Sequence, residues 1–326
     1  MPSATQAPLP SAVPTIDISP YLSDPSSIAA EDVIKDIRTA CLTTGFFQIV
    51  GHGFPREIQS RVLEASKKFF ALDFEEKKKL DAKKSVGHRG YDVLGTQSYL
   101  AGVLPDLKEG FFTGEDLPDD DPRVVARRFY MGSNIWPPTS LISTEEFREP
   151  VEAYFAEIYK LTLIVFEMLA RTLPYGPHIF DEFIANNPAT PMRLLHYPTA
   201  RETEKPQFGS SPHTDFGAIT LLLQDHNPGL QVQNTSTGEW IPVPPNPDGY
   251  VINVGDMLSK WTGNEYKSSV HRVLNENKTD RYSVVFFFDG NLDCPLSPLD
   301  GSKVDGDVLT VEGHMIERMT TSYGKK

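Results

Sequence analysis

The sequence predicts a mostly β core with flanking helices, and three observations carry that reading. Beyond residue 190 the apolar residues fall in short β-type runs: MRLLHYP, AITLLLQ, LQVQN, EWIPVP, YVINVGDML, SSVHRVL and RYSVVFFFD. Turn clusters such as QDHNPG, NTSTG, PNPDG and TGNE separate them, at spacings of about 8 to 15 residues that suit a sandwich, jelly roll or barrel. Before residue 190 the apolar spacing is helical, so helices are expected to buttress the β core. With 326 residues, 39% of them apolar, the chain can bury a large core as one compact unit.

The elements follow in order. The first dozen residues, rich in Pro, Ala and Ser, read as a flexible lead-in, with order beginning at VPTIDIS. Over 30–45 the residues Val33, Ile34, Ile37, Ala40 and Cys41 recur at helical spacing, and Gly45 supplies a stop. A strand is expected in FFQIVGHG. Helices are expected over 55–72, with Pro55 near the first turn, and over EEKKKL. Residues 85–142, with the acidic turn EDLPDDDP and strand-like pieces such as EGFFTG, read as loop-rich. A long helix is expected over 144–173, kinked or broken at Pro150, and a last one over TVEGHMIERMTTSY.

Composition narrows the function. The net charge of -13 repels a phosphate backbone, and the nearest basic run, KKFFALDFEEKKKLDAKKS, alternates with acids and reads as solvated helix faces. No nucleic-acid partner is expected. The absence of a run of about 18 apolar residues argues against a membrane span. MPSATQAPLPSAVP lacks the basic and apolar regions of a secretion signal, so the expected compartment is cytoplasmic. Cys41 and Cys294, the two cysteines, give neither a disulfide framework nor a zinc module. A small-molecule substrate is the partner the sequence leaves open, and no obligate protein partner is evident.

The stretch SPHTDFGAITLLLQD places a histidine and an aspartate two residues apart at the entrance to an apolar run. On a strand, residues i and i+2 share a face, so His213 and Asp215 project together while Thr214 turns away. Burying an ionised carboxylate needs compensation. Of the later histidines, His226 sits in a turn and His314 in the last helix; His271, in SSVHRVL, has a β setting like the pair. Two imidazoles and a carboxylate on β structure form the facial triad of non-haem Fe(II). Zinc is the rival metal, although a hydrolytic site needs a base such as the Glu of His-Glu-x-x-His, which is not spelled here. Histidines that merely satisfy local hydrogen bonds are the plainer alternative.

In the following strand Arg281, Ser283, Val285, Phe287 and Asp289 share one face by period two. A guanidinium with a serine hydroxyl beside it suits the carboxylate of an acidic small molecule. The structural alternative is an ion pair between Arg281 and Asp256 or Asp289.

The order His213-x-Asp215, His271, Arg281-x-Ser283 resembles the 2-oxoglutarate- and Fe(II)-dependent dioxygenase superfamily, specifically its isopenicillin N synthase-like branch. HTDFGAITLLLQD, GLQV, YVINVGDML and YKSSVHRV are similar to its catalytic core, and VPTIDIS with CLTTGFFQIVGHGFP to its amino-terminal region, so the likeness runs from about residue 13 to 290. The resemblance implies a distorted jelly roll, or double-stranded β-helix, with His213, Asp215 and His271 on Fe(II) and O2 as oxidant. It further implies that Arg281 and Ser283 hold the distal carboxylate of the co-substrate 2-oxoglutarate, with a phenol hydrogen bond from Tyr197. Many plant members carry Asn-Tyr-Tyr-Pro where this chain has Leu195-His196-Tyr197-Pro198, which keeps the tyrosine and loses the asparagine. The implied organisation is a lead-in over 1–12, a helix-rich region over 13–185 packed on the core, a catalytic core over 186–290 and a helix-bearing extension over 291–326.

For the substrate, Phe287 and Asp289 continue the Arg281/Ser283 face as an aromatic wall and a polar group. Arg89, Tyr91 and DLKEGFF are expected to form a lid or opposite wall. Trp261 reads equally as cavity lining or packing. His52 between glycines reads as a turn residue, His196 as core or surface, and Arg193 as a neighbour of Tyr197 or a structural ion pair. RLLHYP and PDLKEGFFTGEDLP are similar to fungal members that tailor secondary metabolites, which implies an aromatic or polyketide-like substrate, with the flavonoid and hormone oxidations of plant members still open. An oxidase of the same fold that dispenses with 2-oxoglutarate, and a non-catalytic binding protein, are the remaining alternatives.

Overall fold

The computed structural model describes residues 12–95, 102–199, 203, 205–303 and 306–323. The expected lead-in over 1–12 lies, up to residue 11, outside the described residues. The first part of the chain forms β1 (Thr15–Asp17), α1 (Ser19–Ser23), α2 (Ile28–Thr43), β2 (Phe46–Val50), α3 (Arg56–Phe70) and α4 (Phe74–Lys78). The loop-rich stretch carries β3 (Gly90–Asp92), β4 (Glu109–Thr113) and α5 (Pro122–Val125), and then come the long α6 (Arg148–Thr172) and the short α7 (Asp181–Ile184). Strands β5 (Met192–Tyr197), β6 (Ser210–His213), β7 (Ile219–Gln224), β8 (Leu230–Gln233), β9 (Trp240–Pro242) and β10 (Tyr250–Val254) follow one another. Helix α8 (Asp256–Trp261), β11 (His271–Val273), β12 (Arg281–Phe288) and α9 (Val311–Tyr323) complete the order.

Local chemistry explains the main helix boundaries. Ser27 caps α2, its Oγ accepting from the Ala30 amide at 3.1 Å. The helix ends at Thr43, and Gly45 turns the chain with φ +66°, where an added Cβ would meet the Lys267 carbonyl oxygen at 1.7 Å. Only glycine fits there. Pro150 causes neither kink nor break: α6 starts at Arg148, so the proline stands in the first turn, where a missing N–H costs no intrahelical bond. Residues 144–147, expected to be helical, form the turn before it.

An eight-stranded sheet runs β1-β2-β10-β7-β12-β5-β4-β3, and a four-stranded sheet runs β6-β11-β8-β9. The pairing of β1 with β2 is parallel. Every other pairing of the two sheets is antiparallel. Two apolar layers result, because the side chains of a strand alternate between faces. On β12, Val284, Phe286 and Phe288 join the core under the helices, where Phe286 meets Phe155 of α6 at 5.5 Å and Phe288 meets Phe166 at 4.8 Å between ring centroids. Leu195, Leu222, Val251 and Val285 of the large sheet face Leu230, Val232, Ile241 and Val273 in the second layer. The two sheets form a distorted jelly roll, and a cavity of about 720 Å³ opens between them. Among the described residues no helix is long and apolar enough to cross a membrane.

Candidate active site

The cavity floor is built where β6, β11 and the start of β7 meet. His213 ends β6 and is paired directly with His271 of β11, which brings the imidazole centroids to 4.3 Å. Asp215 lies beyond the end of β6, in the bend that leads to β7. The expected strand geometry for the His-x-Asp pair therefore stops at the histidine, and Asp215 is placed by its contacts instead. Its Oδ1 lies 3.9 Å from His213 Nε2 and 3.7 Å from His271 Nε2. One potential ligand atom from each of the three residues lies within 4.8 Å of the others.

Hydrogen bonds turn three atoms toward one point. His213 Nδ1 faces the Ser211 carbonyl at 2.7 Å and His271 Nδ1 the Ser269 carbonyl at 3.2 Å. With an N–H donated at each Nδ1, each Nε2 presents a lone pair. Asp215 Oδ2 accepts from Thr220 Oγ1 at 2.6 Å and Asn253 Nδ2 at 2.8 Å, so that Oδ1 is turned toward the imidazoles. Burial, with His271 beside it, holds the His213 imidazole well below its ordinary range and hence neutral. Burial alone would raise the Asp215 carboxyl, but the two imidazoles, Thr220 and Asn253 outweigh it and keep the group ionised. Two imidazoles and a carboxylate, each with its second atom already engaged, fit a divalent iron.

The turn that carries Asp215 is fastened to the start of α8. The amides of Gly255, Asp256 and Met257 donate to the carbonyls of Ala218, Asp215 and Gly217 at 2.8, 2.8 and 3.2 Å. Gly255 is required by this close approach, since a Cβ there would lie 2.1 Å from the Gly217 carbonyl oxygen. The glycine of YVINVGDML is thus explained by packing against the neighbouring turn.

Arg281 opens β12 and is 1% exposed. Its Nε donates to the Asn227 carbonyl at 3.2 Å, its Nη2 to Gln224 Oε1 at 2.8 Å, and its guanidinium lies 4.9 Å over the Tyr197 ring. All three partners are neutral, and no carboxylate pairs with it among the described residues. The ion pair weighed from the sequence does not form: Asp256 pairs with Arg318 instead, and Asp289 makes no side-chain hydrogen bond among the described residues. Arg281 Nη1 and Ser283 Oγ are buried without a partner among the described residues, and both residues line the cavity together with the triad. Unpaired buried donors beside an uncompensated positive charge fit a carboxylate. Tyr197 lines the same wall.

Of the substrate candidates, Phe287 and Asp289 line the cavity. Burial, followed by the charge of Asp215, pushes the Asp289 carboxyl up to about 8. Three other candidates lie elsewhere. Tyr91 is wholly buried and donates to Glu109 Oε2 at 2.5 Å, and Arg89 donates to the carbonyls of Gly87 and Tyr130 at 2.8 and 2.6 Å. Trp261 packs in the core against Phe183, with 4.8 Å between centroids. Arg89 and Tyr91 are corrected to structural roles, because residues of a loop-rich stretch fold into the core as well as over a cavity, and of the two readings given for Trp261 packing is the one that holds. Their places are taken by His88, Phe112 and Tyr130 of the same loop-rich stretch and by Met315 and Met319 of α9. The segment DLKEGFF does reach the cavity, through Lys108 and Phe112. Arg193 also lines it and pairs with Asp92, so both readings of that residue hold. His52 is a turn residue, accepting from the Phe54 amide at Nδ1 and facing the Asp248 carbonyl at Nε2, each at 3.0 Å.

Two contributions had no signal in the sequence. Phe46 of β2 meets the His271 ring edge to face at 5.3 Å, so the amino-terminal region supports a triad residue. The buried Lys108 donates to Ser210 Oγ at 2.7 Å, and its ion-pair partner Asp106 accepts from the Ser211 amide at 3.0 Å, which fixes the strand that ends in His213.

A jelly roll with these converging groups defines the class of non-haem iron oxygenases. Residues 188–290 match the 2OG-Fe(II) oxygenase superfamily, and residues 13–139 match the family described as non-haem dioxygenase in morphine synthesis N-terminal. The chain is 58% identical to the 2-oxoglutarate-dependent dioxygenase citB of Monascus ruber, over 96% of each chain. It is 50% identical to clavatol oxidase claD of Penicillium crustosum, over 95% of this chain and 96% of the relative. A solved full-length protein of Neurospora crassa in complex with alpha-KG superposes with a TM-score of 0.81 at 25% identity, covering 95% of this chain and 96% of that one. The chain belongs to the 2OG-Fe(II) oxygenase superfamily. It is a 2-oxoglutarate-dependent dioxygenase whose cofactors are Fe(II), 2-oxoglutarate and O2, which decides between the alternatives the sequence left open.

Proposed function

We propose that His213, Asp215 and His271 hold the iron, that Arg281, Ser283 and Tyr197 hold the distal carboxylate of 2-oxoglutarate, and that a small aromatic or polyketide-like substrate is oxidised against Phe287 and Asp289. The observation that carries this reading is the pair of buried donors, Arg281 Nη1 and Ser283 Oγ, that have no partner among the described residues and stand in the cavity that the triad floors. Oxidative decarboxylation of 2-oxoglutarate to succinate and CO2 is the chemistry the bound iron supplies, with the oxidising equivalents delivered to a C–H bond of the substrate. The chain's own part is placement. Ser211 and Ser269 hold the imidazoles through their carbonyls, Thr220 and Asn253 turn Asp215 Oδ1 inward, and Gln224 and Asn227 aim the guanidinium. Apolar side chains of both sheets, such as Leu195, Leu222, Leu230 and Val273, line the cavity beside these polar groups, and each charge contact is stronger where they displace water.

Support for a planar substrate comes from the walls: Phe112, Tyr130, Phe216 and Phe287 line the cavity, with Met315 and Met319 as adaptable contacts. The Neurospora neighbour is solved with thymine and with 5-formyluracil, two rings that differ in oxidation at one exocyclic carbon. That parallel supports oxidation at a methyl or benzylic carbon here. The test is anaerobic reconstitution with Fe(II) followed by 2-oxoglutarate, read by the visible charge-transfer band of the chelate. A band that is lost in Arg281→Ala supports the assignment. Iron bound without a band in the unaltered protein overturns the anchor.

A further inference from the structure

The contacts of Asp256 reach beyond α8. Its Oδ2 accepts from Thr214 Oγ1 at 3.1 Å, and its Oδ1 from Ser268 Oγ at 2.6 Å. Thr214 stands between His213 and Asp215; Ser268 lies three residues before His271. The same carboxylate is paired with Arg318 Nη2 of α9 at 2.6 Å, and that nitrogen also donates to Thr214 Oγ1 at 3.3 Å. The Arg318 guanidinium covers the Phe216 ring at 4.7 Å, and His314 Nε2 of the same helix faces the Phe216 carbonyl at 2.9 Å. The terminal helix therefore grips the two residues that flank Asp215. It does so from a position where its own Met315, Arg318 and Met319 line the cavity.

We infer that Asp256 and Arg318 are positioning residues that couple docking of the terminal helix to the spacing of the three iron ligands. The inference rests on the assignment of His213, Asp215 and His271 to the metal. One carboxylate joins the segment of the first two ligands, the segment leading to the third and the helix that closes the cavity. Without the guanidinium, Asp256 keeps its two hydroxyl partners but loses its counter-charge, and the Thr214–Phe216 segment loses its outer support. A half-buried carboxylate stripped of its cation is strongly disfavoured. By linkage, whatever seats the helix tightens the metal, and the metal seats the helix to the same extent.

The experiment uses the full chain and Co(II) alone as probe, with affinity read from its d–d absorption and helix docking from amide exchange over 311–323. Arg318→Ala is expected to weaken Co(II) binding about tenfold, the lower end for an outer partner of a ligand, and to speed exchange in the helix. Arg318→Lys recovers part of the loss by restoring charge without the planar fork. In the double variant of Asp256→Asn with Arg318→Ala the losses are less than multiplicative, because the two residues share the Asp256–Arg318 link, although Arg318 also has contacts of its own with Thr214 and Phe216. Thr214→Val removes the hydroxyl that donates to Asp256 and accepts from Arg318 but leaves the Asp256–Arg318 pair in place, and it gives a smaller loss, which keeps the test open if Arg318→Ala fails to fold. Unchanged affinity in both Arg318→Ala and Thr214→Val, or multiplicative losses in the double variant, overturns the coupling. His213→Ala separates the two levels: if it binds Co(II) like the unaltered protein, the metal assignment fails, whereas its loss together with intact binding in Arg318→Ala rejects the coupling alone.

Discussion

At the scale of single residues, function rests on atoms oriented by the partners of their neighbours. Replacing His213 or Asp215 by alanine removes an atom that converges with two others, and the expected result is a folded protein that no longer retains Fe(II), checked by metal analysis after gel filtration. Retained turnover in either variant refutes the ligand assignment. Arg281→Ala is expected to raise the 2-oxoglutarate concentration for half-maximal turnover by about 10- to 100-fold, as a lost charged hydrogen bond of about 1.5 to 3 kcal/mol implies. Arg281→Lys recovers little, since an ammonium does not reproduce a fork held at once by Gln224, Asn227 and the Tyr197 ring. These residues were legible because the alternation of β12 puts Arg281, Ser283, Phe287 and Asp289 on one face whatever the strand packs against. Arg89 and Tyr91 were not: both stand in a loop-rich stretch far from the site in sequence, and only the course of the chain decides that they are buried away from the cavity.

At the scale of elements, buried polar clusters lock neighbouring strands and helices in register. Glu109 of β4 accepts from Lys77 of α4 at 2.9 Å and Tyr91 of β3 at 2.5 Å, and faces His196 Nδ1 of β5 at 2.7 Å. His196 Nε2 in turn faces Asp280 at 3.0 Å. Burial alone would raise Glu109, but hydrogen bonds from His196, Tyr91 and Lys77 bring it below its ordinary 4.5. A carboxyl lowered in the folded state stabilises fully above that ordinary value and stops doing so as pH falls through the lowered one. Glu109→Ala is therefore expected to cost about 3 to 5 kcal/mol at neutral pH by leaving Lys77 buried and unpaired. The difference between variant and parent should shrink when thermal melts are repeated at increasingly acid pH below 4.5, and a constant difference speaks against the charge argument. The strands themselves were plain from alternation and turn residues, and α2, α3 and α6 from period and caps. The bend holding Asp215 was not, because Thr220, Asn253 and the start of α8, which shape it, come from three separate stretches of chain.

At the scale of the whole molecule, the large sheet is shared between distant parts of the chain. Strand β2 pairs with β10, and β4 pairs with β5, so four strands from the first 113 residues complete a sheet whose centre comes after residue 190. A fragment of residues 186–290 alone would leave the outer edges of β10 and β5 unpaired and uncover the ring of His271 where Phe46 meets it. It is expected to aggregate or to lack near-ultraviolet dichroism, while the full chain melts in one transition; a folded, monomeric fragment contradicts this. Sequence pattern gave the strands of both regions but not their pairing, which depends on contacts far apart along the chain. On the cavity floor, His213 and His271 each take their orientation from the peptide oxygen two residues earlier, a group that every amino acid carries, whereas the opposite walls consist of side chains such as Phe112, Tyr130 and Met315. Inheritance can therefore revise what the cavity accepts, one wall residue at a time, without disturbing the tautomers beneath, so a new substrate does not require a new reaction.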